Sequence, residues 1–209
     1  MPEDVKAGPL PVAAGQTRCG GVLGSVTALA GLVDGASAGV LLNVDGEVEV
    51  LPGLADHDLL TATSPVLDVA RSEVAAGYVH RTFLWPLGGP HAPDGYLRVT
   101  VLASPADAPT WVCGLVLLSP PGDLRRLTPR ELEVLGLVVD GRSNWQISRT
   151  LVVAERTVAA HVEHILDKLD APTRTAAAVR ADRTGLYVPD QRALAEPAGR
   201  RRVARGEAG

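Results

Sequence analysis

With 46% hydrophobic and 21% charged residues over 209 positions, the chain has the balance of a globular protein able to bury a core, which excludes a disordered or fibrous class. Its strongly apolar stretches, such as "WVCGLVLL" at 111–118, fall well short of the roughly 18 residues of a spanning helix, so no membrane passage is predicted. The net charge of −4 is unevenly spread: residues 1–121 hold five Lys and Arg against twelve Asp and Glu, and residues 122–209 hold fifteen against twelve, which predicts two domains with different partners.

Residues 1–20, with Pro2, Pro9 and Pro11 among scattered Gly and Ala, show no period and are expected to form a flexible leader. Glu3 and Asp4 stand where a secretory signal would carry basic residues, so a cytoplasmic location is expected. Cys19 and Cys113 lie in unrelated contexts without a CxxC or His-rich spacing, which predicts free thiols and no metal site. A weak helical signal at "VLGSVTALAGLV" precedes "AGVLLNVDGEVEVLPG", where apolar runs flank Asp45-Gly46 and predict a β-hairpin with a type I′ turn. "SPVLDVARSEVAAGYV" offers Ser64 as N-cap and Pro65 at the first helical position, with apolar residues at 66, 67, 70 and 74. From 79 to 118, "HRTFLWPL", "GYLRVTVLAS" and "TWVCGLVLLSP" are three extended runs between Gly/Pro/Asp-rich loops, an antiparallel meander. The expected first domain, 21–118, is therefore α+β, an antiparallel sheet with flanking helices. "SPPGDLRR" marks a linker at 119–126, because its prolines cannot continue a strand.

From 127 onward the pattern is all helical. Thr128, Pro129 and Glu131 make a capping box with Leu127 and Leu132 placed for a hydrophobic staple, and the helix is expected to end near Asp140 at Gly141. Ser143 and Gln146 form a second capping box for a short helix carrying Ile147 and Leu151 inward. After a turn at "LVVA", a third helix buries Val158, Val162, Ile165 and Leu169 and leaves Arg156, Ala160, Glu163 and Asp167 opposite. A fourth runs from about Arg174 to Thr184, stopped by Gly185. The tail, 191–209, holds Arg192, Arg200, Arg201, Arg202 and Arg205 and accounts for the whole basic excess of the second half.

"LTPRE", Gly141 with Ser143-Asn144, Ile147, "ERTV", "HV", "I..KL" and "RT.A" fall in order and register, so residues 127–189 resemble the LuxR-type (GerE-like) helix-turn-helix domain. The resemblance implies a four-helix DNA-binding domain at 127–190 whose third helix enters the major groove. It implies base reading by Ala159, Ala160 and Glu163, a phosphate contact from Thr157, and a DNA-facing set that includes Ser143, Asn144, Trp145, Arg156, Val158, His164 and Lys168. The expected partners are double-stranded DNA, RNA polymerase and a second copy of the chain. Departures stand at Trp145, Ala159, Glu163 and Asp167, some of which carry Lys or Arg in the family, and at Ala154 in place of a Ser/Thr cap. Glu can accept from cytosine N4 and Ala can pack on a thymine methyl, so an acidic reading helix is compatible with selective, low-background binding. Its neutral balance also leaves open a signalling adaptor whose helices bind protein.

The first domain is GAF/PAS-like in its order of hairpin, helix and meander. A phosphorylated receiver is excluded, since that chemistry needs a lysine and none lies between Lys6 and Lys168. Phe83, Trp85, Tyr96 and Trp111 are candidates to line a pocket for a small ligand, with plain core as the alternative. His57, His80 and His91 are read as surface or loop residues rather than haem ligands, and His161 and His164, spaced i, i+3, lack a third metal ligand. No cofactor is expected. Neither a G-x-S-x-G nor a phosphate-binding loop occurs, so the chain is not expected to be an enzyme. If the Arg-rich tail supplies the electrostatics that the reading helix lacks, a chain ending at Asp190 should bind duplex DNA more weakly and with a shallower salt dependence than the full chain. Equal affinities and slopes in equilibrium titrations would sink that role.

Overall fold

The computed structural model describes residues 33, 35–89, 92–104 and 108–190. The leader, most of the weak helical stretch before residue 33, His91 and the Arg-rich tail lie outside the described residues. Within them the architecture is the expected one, an antiparallel sheet with a helical layer followed by an all-helical unit. No described helix is long and apolar enough to cross a membrane.

Strands β1 (Ala38–Asn43) and β2 (Val48–Val50) form the first hairpin. Its turn differs from the type I′ expectation. Gly46 alone is left-handed, with φ +91, whereas a type I′ turn needs two such residues. Four residues close the loop instead, the Asp45 Oδ1 accepting from the Glu47 amide at 3.0 Å. A 3-10 turn at Asp58–Leu60, not foreseen, is capped by His57, whose Nδ1 accepts from the Leu59 amide at 3.1 Å. Helix α1 (Pro65–Ala75) follows with Pro65 in its first turn and Val66, Leu67, Val69 and Ala70 buried; Ser64 makes no side-chain cap bond. Strands β3 (His80–Pro86), β4 (Tyr96–Ala103) and β5 (Val112–Ser119) make the meander, and β1 adds to β5, giving the sheet order β2-β1-β5-β4-β3. Alternation along β5 sends Val116 and Leu118 into the main core and Leu115 and Leu117 into a smaller cluster on the other face.

The helical unit comprises α2 (Pro129–Val139), α3 (Asn144–Leu151), α4 (Glu155–Leu169) and α5 (Arg174–Thr184). Both capping boxes form as the sequence predicts, and Thr173 caps α5. Ala154 gives α4 no side-chain cap, which costs about 1 kcal/mol relative to Ser or Thr. Tertiary packing offsets this: Val158, Ile165 and Leu169 are buried against α2, α3 and α5. A clamp fixes the other end. Glu131, its side chain only 4% exposed, caps the Thr128 amide at 2.7 Å and accepts from Lys168 Nζ at 2.9 and 2.6 Å through its two oxygens.

The two units share one apolar core, joined by residues 185–188 acting as a strap. Leu186, Tyr187 and Val188 are buried. The Leu84 amide on edge strand β3 donates to the Tyr187 carbonyl at 2.8 Å, and the Val188 amide reaches the Leu132 carbonyl on α2 at 3.4 Å. Beside the strap, Arg81 of β3 pairs with Asp182 of α5, lies 3.2 Å from Glu73 of α1, and stacks over the rings of Tyr78 and Tyr187 at 4.5 and 5.6 Å. Burial works against the Arg81 cation, but Tyr187, Glu73 and Asp182 outweigh it and raise its pKa.

Gly136 on α2 tests the strap. An alanine Cβ there would lie 1.8 Å from the Val188 carbonyl oxygen, backbone on both sides. Gly to Ala inside a helix ordinarily gains up to about 1 kcal/mol, whereas overpacking costs about 1–3 kcal/mol. Gly136→Ala should therefore lower the midpoint of urea unfolding; a raised midpoint would show that the strap does not press on α2. The Glu131 clamp makes a second prediction. Burial pushes its carboxyl pKa up, yet bonds from Lys168 and Thr128 prevail and hold it below the ordinary value. The clamp's contribution is thus present above the unfolded pKa of about 4.3 and lost as pH falls through the lower folded value. Glu131→Gln should cost about 2 kcal/mol at neutral pH and flatten the acid limb of stability against pH; parallel acid limbs in the two proteins would contradict it.

Candidate nucleic-acid interface

Helices α3 and α4 meet through a tight turn in which Val152 is left-handed, φ 54, and this turn sets the second helix across the first. The sheet packs on α5 and the strap, while the outer face of α4 is open: Glu155, Arg156, Thr157, Ala160, Glu163, His164 and Asp167 are exposed, and Ala159 is half-buried at its margin. Without a side-chain cap at Ala154, the first-turn amides of α4 end in the positive pole of a helix of 15 residues beside the exposed Thr157.

Some expected positions are used otherwise. Val158 is wholly buried, a core residue that cannot reach a base. Lys168 is taken up by Glu131, so its ammonium anchors α4 to α2 and is not free for a phosphate. The Ser143 hydroxyl accepts from the Gln146 amide at 3.2 Å, and Asn144 Oδ1 accepts from Arg174 at 2.8 Å. Arg174 also donates to the Arg142 carbonyl, so it holds the start of α3 to α5. Trp145 is 61% exposed, with the Arg149 guanidinium 5.9 Å from its ring centroid. Arg149 was not among the expected residues. Its i, i+4 spacing from Trp145 and its place opposite Ile147 and Leu151 were the signal for it. His161 is half-buried beside the apolar stripe, and His164 Nδ1 lies 3.9 Å from Glu131.

The four aromatics do not converge on one pocket. Phe83, Trp85 and Tyr96 are buried in the main core, the first two with ring centroids 6.5 Å apart, whereas Trp111 packs with the cluster on the opposite face of the sheet. Burial pushes the Tyr96 phenol pKa up, and Glu133 of α2 adds to the shift, which places this end of β4 near the helical unit.

Residues 125–181 match the GerE family, described as bacterial regulatory proteins of the luxR family. The chain is 46% identical over 71 residues to the HTH-type quorum sensing-dependent transcriptional regulator RpaR of Rhodopseudomonas palustris, which is 33% of this chain and 29% of that protein. It is 47% identical over 60 residues to the transcriptional regulatory protein LiaR of Bacillus subtilis, 29% of this chain and 28% of the relative. The nitrate/nitrite response regulator protein NarL of Escherichia coli is 44% identical over 57 residues, 27% of this chain and 26% of the relative. This chain thus spans under a third of the length of these curated relatives. A solved VqmA dimer of Vibrio cholerae aligns over 80% of this chain and 91% of its own, at 17% identity and a TM-score of 0.36, too low to bear on the fold. The sequence match and the four-helix geometry together show that residues 125–181 are a LuxR-family (GerE) helix-turn-helix domain.

Proposed function

We propose that this chain is a sequence-specific DNA-binding regulator of transcription, and not an enzyme, acting in the cytoplasm. Its organisation would be a GAF/PAS-like control domain at 21–118, a linker at 119–126 and a reading domain at 127–190. The observation that carries this is the open face of α4, presented by a helix-turn-helix whose contacts with the sheet are made through α5 and the strap instead. A first domain docked in this way leaves the reading helix uncovered.

In this reading, Arg156, Thr157 and the uncapped amides at the start of α4 contact phosphate, with Arg149 and Trp145 flanking them. Ala159, Ala160 and Glu163 face the base edges, Glu163 as acceptor for a cytosine amino group, and His164 lies further along the same face. The exposed acids Glu155, Glu163 and Asp167 repel phosphate, so non-specific binding is weak and affinity depends on the correct bases. Two copies binding an inverted repeat with half-sites one helical repeat apart would present the complex to RNA polymerase, and a small ligand of the first domain would set the response.

Selection of binding sites from random duplex DNA by the full chain, at low and moderate salt, tests the reading. An inverted repeat that persists at moderate salt is expected. Glu163→Gln should change the preferred base at one position of each half-site and weaken binding to the original site about tenfold. Failure of a folded sample to enrich any sequence at either salt would favour the protein-binding adaptor.

A further inference from the structure

Sheet and helical unit leave a cleft of about 200 Å³ between them, near the C-terminal end of α4. Arg98 of β4, Asp123 and Arg125 of the connecting segment, Leu169 at the end of α4, and Arg180, Thr184 and Leu186 line it. Three guanidiniums and one carboxylate leave two positive charges in excess. Asp123 is already engaged by its own turn: Oδ1 accepts from the Arg125 amide at 2.8 Å, and Oδ2 lies 3.4 Å from Arg125 Nε.

Neither Arg98 nor Arg180 has a carboxylate partner among the described residues. Arg98 donates to the carbonyls of Thr184 at 2.5 Å and Pro121 at 2.6 Å; Arg180 donates to those of Leu169 and, at 2.9 Å, Asp170. A guanidinium has five N–H groups, so each retains donors for a further acceptor. Arg81 on the neighbouring strand supplies the contrast. It has two carboxylates and a raised pKa, whereas burial with only neutral partners lowers the pKa of Arg98. The linker beside the cleft is also held unusually, with Arg125 and Arg126 in succession left-handed at φ 52 and 58, a conformation that side chains of this size rarely adopt.

We propose that this cleft binds a small oxyanion, the phosphate or carboxylate group of a low-molecular-weight compound, through Arg98, Arg125 and Arg180. Planar forked donors match such groups with paired, charge-assisted hydrogen bonds. The volume lies below the roughly 300–1,000 Å³ of pockets for drug-sized ligands, which limits the occupant to a small one. Because the three arginines come from the sheet, the linker and the last helix, a bound anion ties the two units together at their junction. None of its lining residues belongs to the set proposed to contact DNA, so binding there does not depend on that function.

Isothermal titration of the full chain with inorganic phosphate, and separately with malonate, in chloride buffer of constant ionic strength and without DNA, tests this. Saturable one-site binding of at least one anion is expected. Arg98→Met and Arg125→Gln should weaken it about tenfold or more, and Arg183→Gln, an exposed cation on the same helix as Arg180 that does not line the cleft, should leave it unchanged. Arg125 is exposed, so its variant keeps the fold even if loss of Arg98 loosens the junction. Binding of phosphate alone identifies a phosphate group, and of malonate alone a carboxylate. No saturable binding of either anion, native affinity in Arg125→Gln, or equal weakening in Arg183→Gln would overturn the proposal.

Discussion

The strap at residues 185–188 makes one body of two units. A sheet edge exposes unpaired amides and carbonyls, and β3 is such an edge; the strap gives the Leu84 amide a partner and covers this side with buried Leu186, Tyr187 and Val188. The same three residues lie on α2, where the absent side chain of Gly136 lets the Val188 carbonyl approach. Arg81 then joins three elements at one point. Its cation is half enclosed by two tyrosine rings and offset by Glu73 and Asp182, so removing any one partner leaves a buried charge less compensated.

This junction determines what the helical unit can present. The sheet occupies α5 and the strap, and the residues left facing water are those of α4 and the exposed side of α3. The positive charge expected on that surface is reduced in two ways. Glu163 and Asp167 put exposed acids on it, and Lys168, the cation nearest the end of α4, is drawn inward by Glu131. In the proposed function, attraction to DNA that does not depend on sequence is correspondingly small, and selectivity falls to a few positions on one helix face.

Much of the fold was legible because its determinants are local. The capping boxes at Thr128/Glu131 and Ser143/Gln146 form as their three-residue spacing predicts, and Gly141 and Gly185 close the helices they were expected to close. The departures have local reasons too. Asp45-Gly46 was expected to supply two left-handed residues, but the Asp45 side chain bonds forward to the Glu47 amide and only the glycine turns over. Val158 was carried into the DNA-facing set by its place in a motif, although the helical period that buries Ile165 and Leu169 buries it as well.

The sequence by itself determined the main helices and strands, their order and the acidity of the outer face of α4, because hydrogen bonds four residues apart and alternation along a strand are short-range effects. It could not show that Lys168 would bond a carboxylate 37 residues away, or that Arg81 would meet one at a separation of 101. Nor could it bring together the arginines of the interdomain cleft, which come from β4, the linker and α5. Such pairings depend on where whole elements come to rest, and that is set by burial of apolar surface, which acts without regard to distance along the chain. Only the tertiary structure decided which charges serve the fold and which remain available to a partner.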